Sequence, residues 1–223
     1  CTLRCRYCQN AAISSGAVGK AMDSAELRRL LEDLIAQGAE NIDLVTPTHF
    51  LPTILPALRP KLPVPVVYNC GGYERVETLR ALEGCVDIYL PDFKYADARL
   101  AGQLSGAMDY FPVAAEAIRE MVRQVGAVRW EREKVTRGVI IRHLILPGNV
   151  ENSLRVLDWI GENFAPGEVL VSLMRQYTPM GGLPAPFDRR VTDEEYDAVL
   201  SWMYLNELEG FTQEAEAADT GFI

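Results

Sequence analysis

Short apolar runs rich in β-branched residues alternate with amphipathic helical stretches along nearly the whole chain, and this rhythm restricts the fold more than any other feature. The runs NIDLV at 41–45, VPVVY at 64–68, VDIYL at 86–90, GVIIRHLIL at 138–146 and VLVSLM at 169–174 have the continuous apolar character of parallel strands buried on both faces. Between them, DSAELRRLLEDLIAQG places Asp23 and Glu26 as a capping box. It sets Leu27, Leu30, Leu31, Leu34 and Ile35 on one helical face and Gly38 at the stop. Further helices are expected near 52–59, 74–83, 111–125 and 152–164, and from Thr192 to Leu208, where Thr192 and Glu195 form a second capping box. The βα repeat predicts an α/β fold, a partial (β/α)6 barrel of the TIM-like kind, with five strands visible and a first strand expected upstream of Cys1. At 223 residues, 48% of them hydrophobic, the chain can bury one core, so residues 1–223 are expected to form a single domain.

In barrels of this kind the chemistry sits at the carboxyl ends of the strands. Those ends read Thr46, Pro47, Thr48 and His49; Asn69 and Cys70; Asp92 and Lys94; Arg142 and His143; Gln176 and Tyr177. Some of these are expected to be ordinary turn and cap residues. Arg142 and His143 are adjacent in an extended segment and must face opposite ways, so Arg142 is assigned to the barrel interior as a catalytic candidate. Cys70 is a second one, set against the reading of a buried cysteine. Trp130, Trp159 and Trp202 read as packing anchors, Cys85 as core, residues 179–190 as a lid or a plain connector, and the acidic stretch 214–219 as a solvated terminus.

The most reactive group opens the chain. Cys1, Cys5 and Cys8 form a C-x3-C-x2-C run with Tyr7 before the last cysteine. Three thiolates can hold three corners of an iron-sulfur cluster and leave the fourth open. They can also hold zinc, if His49 or Cys70 closes the tetrahedron. A disulfide framework fits poorly, because there are 5 cysteines, an odd number, and three are crowded together. A reducing, cytoplasmic setting follows. Net charge of −9 opposes a large nucleic-acid footprint, the sequence holds no membrane-length apolar run, and no signal peptide is expected.

On the spacing CTLRCRYC and its aromatic, the chain resembles the radical S-adenosylmethionine superfamily. The pieces CRYCQN, NIDLVTPTHF, VVYNCGGYE, VDIYLPDFKY, RGVIIRHLILPGN and SLMRQYTPM narrow this to a likeness with pyruvate formate-lyase activating enzyme homologues of the uncharacterised iron-sulfur type. The resemblance implies a 4Fe-4S cluster on Cys1, Cys5 and Cys8 whose open iron chelates S-adenosylmethionine. It also implies reductive cleavage of that cofactor to a 5'-deoxyadenosyl radical, an electron donor such as flavodoxin or ferredoxin, and a glycyl-radical enzyme as target. The cofactor is expected to meet Tyr7, Thr46, Thr48, Asn69, Asp92, Lys94 and Gln176. Asp92 and Lys94 match the family's Asp-x-Lys strand, and Asn69 stands where activating enzymes have an aspartate. Thr46, Pro47 and Thr48 replace the Gly-Gly-Glu motif that normally holds the cofactor's amino group. Two alternatives stay open: a radical enzyme acting on a small molecule, and a non-catalytic metal-binding module. Because a cluster ligand is its first residue, the chain is also expected to be N-terminally truncated.

Overall fold

The computed structural model describes residues 1–14 and 19–213; the acidic stretch 214–219 lies outside them. After the cysteine loop come α1 (Ala11–Ser14), α2 (Ser24–Ala36), β1 (Ile42–Val45), a short 3-10 turn (Thr48–Phe50), α3 (Leu51–Ala57), β2 (Val66–Cys70) and α4 (Val76–Ala81). The chain continues through β3 (Ile88–Pro91), α5 (Ala98–Ser105), α6 (Tyr110–Val125), β4 (Arg129–Glu131), β5 (Lys134–Leu144), α7 (Val150–Asn163), β6 (Leu170–Met174), α8 (Asp193–Leu205) and β7 (Gly210–Phe211). Both capping boxes form, Asp23 with Glu26 and Thr192 with Glu195, so the sequence signals at these helix starts act as their chemistry requires.

The strands make one sheet in the order β1-β2-β3-β5-β6-β7, with β4 set off the path. Every neighbour pair along this path is parallel, giving the TIM-like half-barrel that the βα rhythm predicts. The sequence reading misses the short α1, the 3-10 turn and three further elements. The strand β4 pairs antiparallel with the start of β5 as a hairpin. The helix α5 follows β3 directly. The strand β7 is two residues long, too short for a periodicity to register. Its Gly210 is required, because a Cβ there would lie 1.8 Å from the Val171 carbonyl oxygen.

Register sorts the side chains into two faces. On one, Tyr68 pairs with Tyr89, Tyr89 with Val139, and Ile141 with Val171. All five are fully buried under the helices. On the other, Asp43, Val67, Asn69, Leu90, Arg142 and Ser172 occupy the register positions. That face is the barrel interior, where polar groups gather. Trp159 packs among Phe93, Phe111 and Phe164, and Trp202 donates from Nε1 to Asp158 at 2.6 Å. Trp130, by contrast, is no core anchor: it sits on β4, half exposed, with its ring 6.3 Å from that of Phe211. Cys85 is buried beside Leu58 and Val66. Residues 179–190 form an irregular segment held down by buried Leu183 and Phe187, the latter's carbonyl accepting from Tyr177 at 2.9 Å.

Candidate functional site

The cysteine loop lies across the carboxyl ends of the strands, and its anchors are identifiable. Leu3 and Tyr7 are buried. Leu3 packs against Gly71, where even a Cβ would approach its side chain to 3.2 Å. The Arg6 amide donates to the Leu104 carbonyl at 2.8 Å, tying the loop to the end of α5. Gln9 donates to Thr178 Oγ1 at 2.9 Å, tying it to the segment after β6. Cys1, Cys5 and Cys8 are all free thiols, and the Cys8 amide donates to the Cys5 carbonyl at 3.1 Å, closing a turn between two of them.

Among the described residues, no group of three or more His, Cys, Asp or Glu could hold a single metal ion. His49 is exposed, with its ring 4.0 Å from that of Phe50, and Cys70 is buried on the helix-covered face. A single zinc ion needs ligands converging on one point. A cubane needs each thiolate to bind a different iron, so its sulfurs stand apart. The donor set of three unpaired thiols on one loop fits the second case.

Beneath the loop, Asp92, Lys94 and Arg142 form one ion network. Asp92 accepts from Lys94 Nζ at 2.5 Å through Oδ2, and from Arg142 Nε at 2.8 Å and Nη2 at 2.6 Å through Oδ1. A backbone bridge joins Asp92 to Arg142, so the sheet itself sets the pair. Burial opposes ionisation of Asp92, but Lys94 and Arg142 outweigh it and hold the carboxyl below its usual range. One carboxylate thus anchors two cations, leaving a net positive wall at the barrel mouth. Asn152 of α7 fixes its approach: the Oδ1 accepts from the Ala96 amide at 2.8 Å while the Nδ2 donates to the Lys94 carbonyl at 3.0 Å. Opposite Arg142, His143 is fully buried between the Phe93 carbonyl and Ser153 Oγ. Burial lowers its pKa to about 4, so it stays neutral and structural.

A second polar cluster is carried by residues that the strand-end reading did not join. Thr48 Oγ1 donates to Glu74 Oε1 at 3.0 Å and meets the Tyr68 hydroxyl at 2.8 Å. Glu74 is 3% exposed, and its Oε2 is buried with no partner among the described residues. Burial pushes its pKa up to about 7. The sequence hides Glu74 at the start of a helix candidate, although it follows Gly71, Gly72 and Tyr73 directly after β2.

The remaining candidates fall as follows. Thr46 has φ of 49°, a left-handed conformation costly for a β-branched residue, and its amide donates to the Asn69 carbonyl at 2.7 Å. Asn69 faces the interior and reaches Asp43 at 3.4 Å. Gln176 Oε1 accepts from Gln213 at 3.0 Å. Two further candidates are buried. Cys70, 1% exposed, shares a face of β2 with Tyr68; burial, then Glu74, raises its thiol pKa, with Arg142 acting the other way. Tyr7 is buried, its ring 5.6 Å from that of Tyr177 and its hydroxyl 2.6 Å from that of Tyr95. Two open grooves of about 600 and 560 Å³ lie elsewhere, beside Met203 and Gly210 and beside Glu131 and Lys134, near the amino ends of strands.

No family model matches the sequence. An uncharacterized protein of Methanocaldococcus jannaschii is 28% identical over 213 residues, covering 90% of this chain and 58% of its own length. Among solved structures, SuiB of Streptococcus suis bound to S-adenosylmethionine superposes with a TM-score of 0.59 at 15% identity, over 96% of this chain and 45% of that one. A spore photoproduct lyase with bound AdoMet gives 0.61 at 13%, over 96% and 74%. A domain of pyruvate-formate lyase-activating enzyme from Bacteroides vulgatus gives 0.55 at 11%, over 78% and 98%. The fold is the one that these solved structures share. The chain spans somewhat over half the length of its curated relative and about half of SuiB. No helix among the described residues is long and apolar enough to cross a membrane.

Proposed function

We propose that this chain is the core of a radical S-adenosylmethionine enzyme, with Cys1, Cys5 and Cys8 as the ligands of a 4Fe-4S cluster. The observation that carries the reading is the placement of three free thiols on one loop, anchored across the same strand ends that present Asp92, Lys94 and Arg142. The cluster, when bound, supplies the single electron that opens the sulfonium of S-adenosylmethionine. The chain's own residues bind and orient. Lys94 and Arg142, held by one ionised carboxylate, offer fixed positive charge and directed N–H donors to the cofactor's polar edge. The unpartnered Glu74 Oε2 accepts from its ammonium, doing the work of the absent Gly-Gly-Glu carboxylate from a different loop. Asn69 offers an amide to a ribose hydroxyl. Thr48 orients Glu74 rather than receiving the ammonium itself.

A low-potential donor such as flavodoxin or ferredoxin is required by the one-electron step. The likeness to an activating-enzyme domain supports a glycyl-radical enzyme as the target. The test is anaerobic reconstitution with iron and sulfide, reduction with dithionite, and chromatography for 5'-deoxyadenosine at saturating S-adenosylmethionine. Product above a protein-free control is expected. An intact cluster that yields none overturns the proposal.

A further inference from the structure

Cys5 is the end of a buried chain of hydroxyls. Ser105 Oγ donates to Cys5 Sγ at 2.9 Å, Tyr95 OH lies 2.5 Å from Ser105 Oγ, and Tyr7 OH lies 2.6 Å from Tyr95 OH. Ser105 is 4% exposed and Tyr95 fully buried, so water does not compete for these bonds. Each hydroxyl has one proton to give. A cysteine acting as a cluster ligand is a thiolate and only accepts, so all three protons must point one way: Tyr7 to Tyr95, Tyr95 to Ser105, Ser105 to sulfur. Such a chain polarises itself, each bond strengthening the next. Among the described residues, the other two cysteines have no such chain. Cys1 is exposed, and Cys8 meets the exposed hydroxyl of Ser14 at 3.9 Å.

The backbone keeps the sulfur in register with its donor. The Arg6 amide binds the Leu104 carbonyl, so the residues flanking the bond on both sides are joined as well. Tyr7 belongs to the cysteine loop itself, so the chain of hydroxyls leaves the loop at Tyr7 and returns to it at Cys5. A clamp that only docked α5 onto the loop would need neither a closed circuit nor a polar atom against sulfur; an apolar contact would serve.

We propose that Ser105 and Tyr95 are positioning residues that act through Cys5 to set the reduction potential of the cluster, an inference that rests on the functional reading above. Hydrogen bonds to the sulfurs of an iron-sulfur cluster are among the determinants of its potential. A proton donated to a ligand sulfur favours the more negative, reduced state. No proton leaves the chain in the process; the electron comes from the external donor.

The experiment is potentiometric titration of the anaerobically reconstituted protein, followed by the electron paramagnetic resonance signal of the reduced cluster, with iron measured per chain. Ser105→Ala should keep its iron and become about tenfold harder to reduce at a fixed potential, a shift of about 59 mV to more negative values for one electron. Tyr95→Phe should shift in the same direction by less, and Ser105→Thr, which keeps the hydroxyl, should titrate with the wild type. An unchanged potential in iron-replete Ser105→Ala overturns the inference while leaving the cluster assignment intact. If Ser105→Ala cannot retain iron, Tyr95→Phe decides, and no shift there overturns it equally. A wild-type protein that takes up no cluster overturns both readings together.

Discussion

Thr48 gives its hydroxyl proton to Glu74 at 3.0 Å, and the other oxygen of that carboxyl is buried with no partner among the described residues. A half-satisfied buried carboxyl is costly when ionised, and its pKa is raised by burial from 4.5 to about 7. A carboxyl whose folded pKa lies above its unfolded value stabilises the fold only when protonated. The fold therefore carries no penalty below about pH 4.5, gains it as pH climbs, and bears it fully above about pH 7. Glu74→Gln, neutral and of the same shape, should match the wild type in thermal denaturation at pH 4 and exceed it by roughly 1–3 kcal/mol at pH 8. Equal stability at pH 8 would remove the buried charge from the argument. The same variant should bind S-adenosylmethionine about tenfold more weakly at pH 8, measured by calorimetry.

Removal of one thiolate tests the ligand set. Cys5→Ala should lose the full cluster after reconstitution, because thiolate ligation holds the cubane. Iron analysis near that of wild type, with an undiminished signal from the reduced cluster, would show that Cys5 is not a ligand.

In the ion network the two ends should behave differently. Asp92→Ala strands Arg142 and Lys94, both mostly buried, without their shared anion, and should destabilise the fold by roughly 2–4 kcal/mol in urea titration. Lys94→Ala leaves Asp92 paired with Arg142. Its stability should fall by less, while affinity for S-adenosylmethionine drops. A loss of stability in Lys94→Ala as large as that in Asp92→Ala, at unchanged affinity, would make Lys94 a structural residue.

The turn after β2 allows almost no volume. A Cβ at Gly72 would lie 2.0 Å from the Asp92 carbonyl oxygen, and its φ is +77°. Gly72→Ala must therefore both strain the backbone and displace the strand end that holds Asp92. It should cost about 2 kcal/mol or more, read as a lowered denaturation midpoint, where a surface glycine replacement would leave the midpoint nearly unmoved.

Much of the scaffold was legible because it depends on local chemistry. Asp23 and Glu26, or Thr192 and Glu195, are three residues apart and announce a helix start wherever they fall. The apolar runs of β2, β3 and β6 announce buried parallel strands for the same reason. Boundaries moved by up to four residues: β2 begins at Val66 rather than near 64, just after Pro65, which has no amide proton to give to the ladder, and β5 begins at Lys134 rather than 138, where the hairpin with β4 extends it. The helix α5 and the strand β7 gave no such signal.

The site divides along the same line. Cys1, Cys5 and Cys8 could be read as a group because one short loop carries them. The facing of Arg142 away from His143 followed from the alternation of an extended chain. Glu74, Ser105, Tyr95 and Asn152 could not be read, since Glu74 meets Thr48 across 26 positions, Ser105 meets Cys5 across 100, and Asn152 meets Lys94 across 58. The burial of Cys70 and Tyr7 could not be read for a related reason. Their positions at a strand end and beside a cysteine of the triplet are sequence facts, but the direction of their side chains is set by sheet register and by which face the helices cover. The sequence by itself determined the βα rhythm, the helix starts and the thiol triplet, because each arises from residues within one or two turns of chain. Only the tertiary structure decided which polar groups share a proton or a charge, because those pairings exist only once parallel strands bring distant segments to the same end of the sheet.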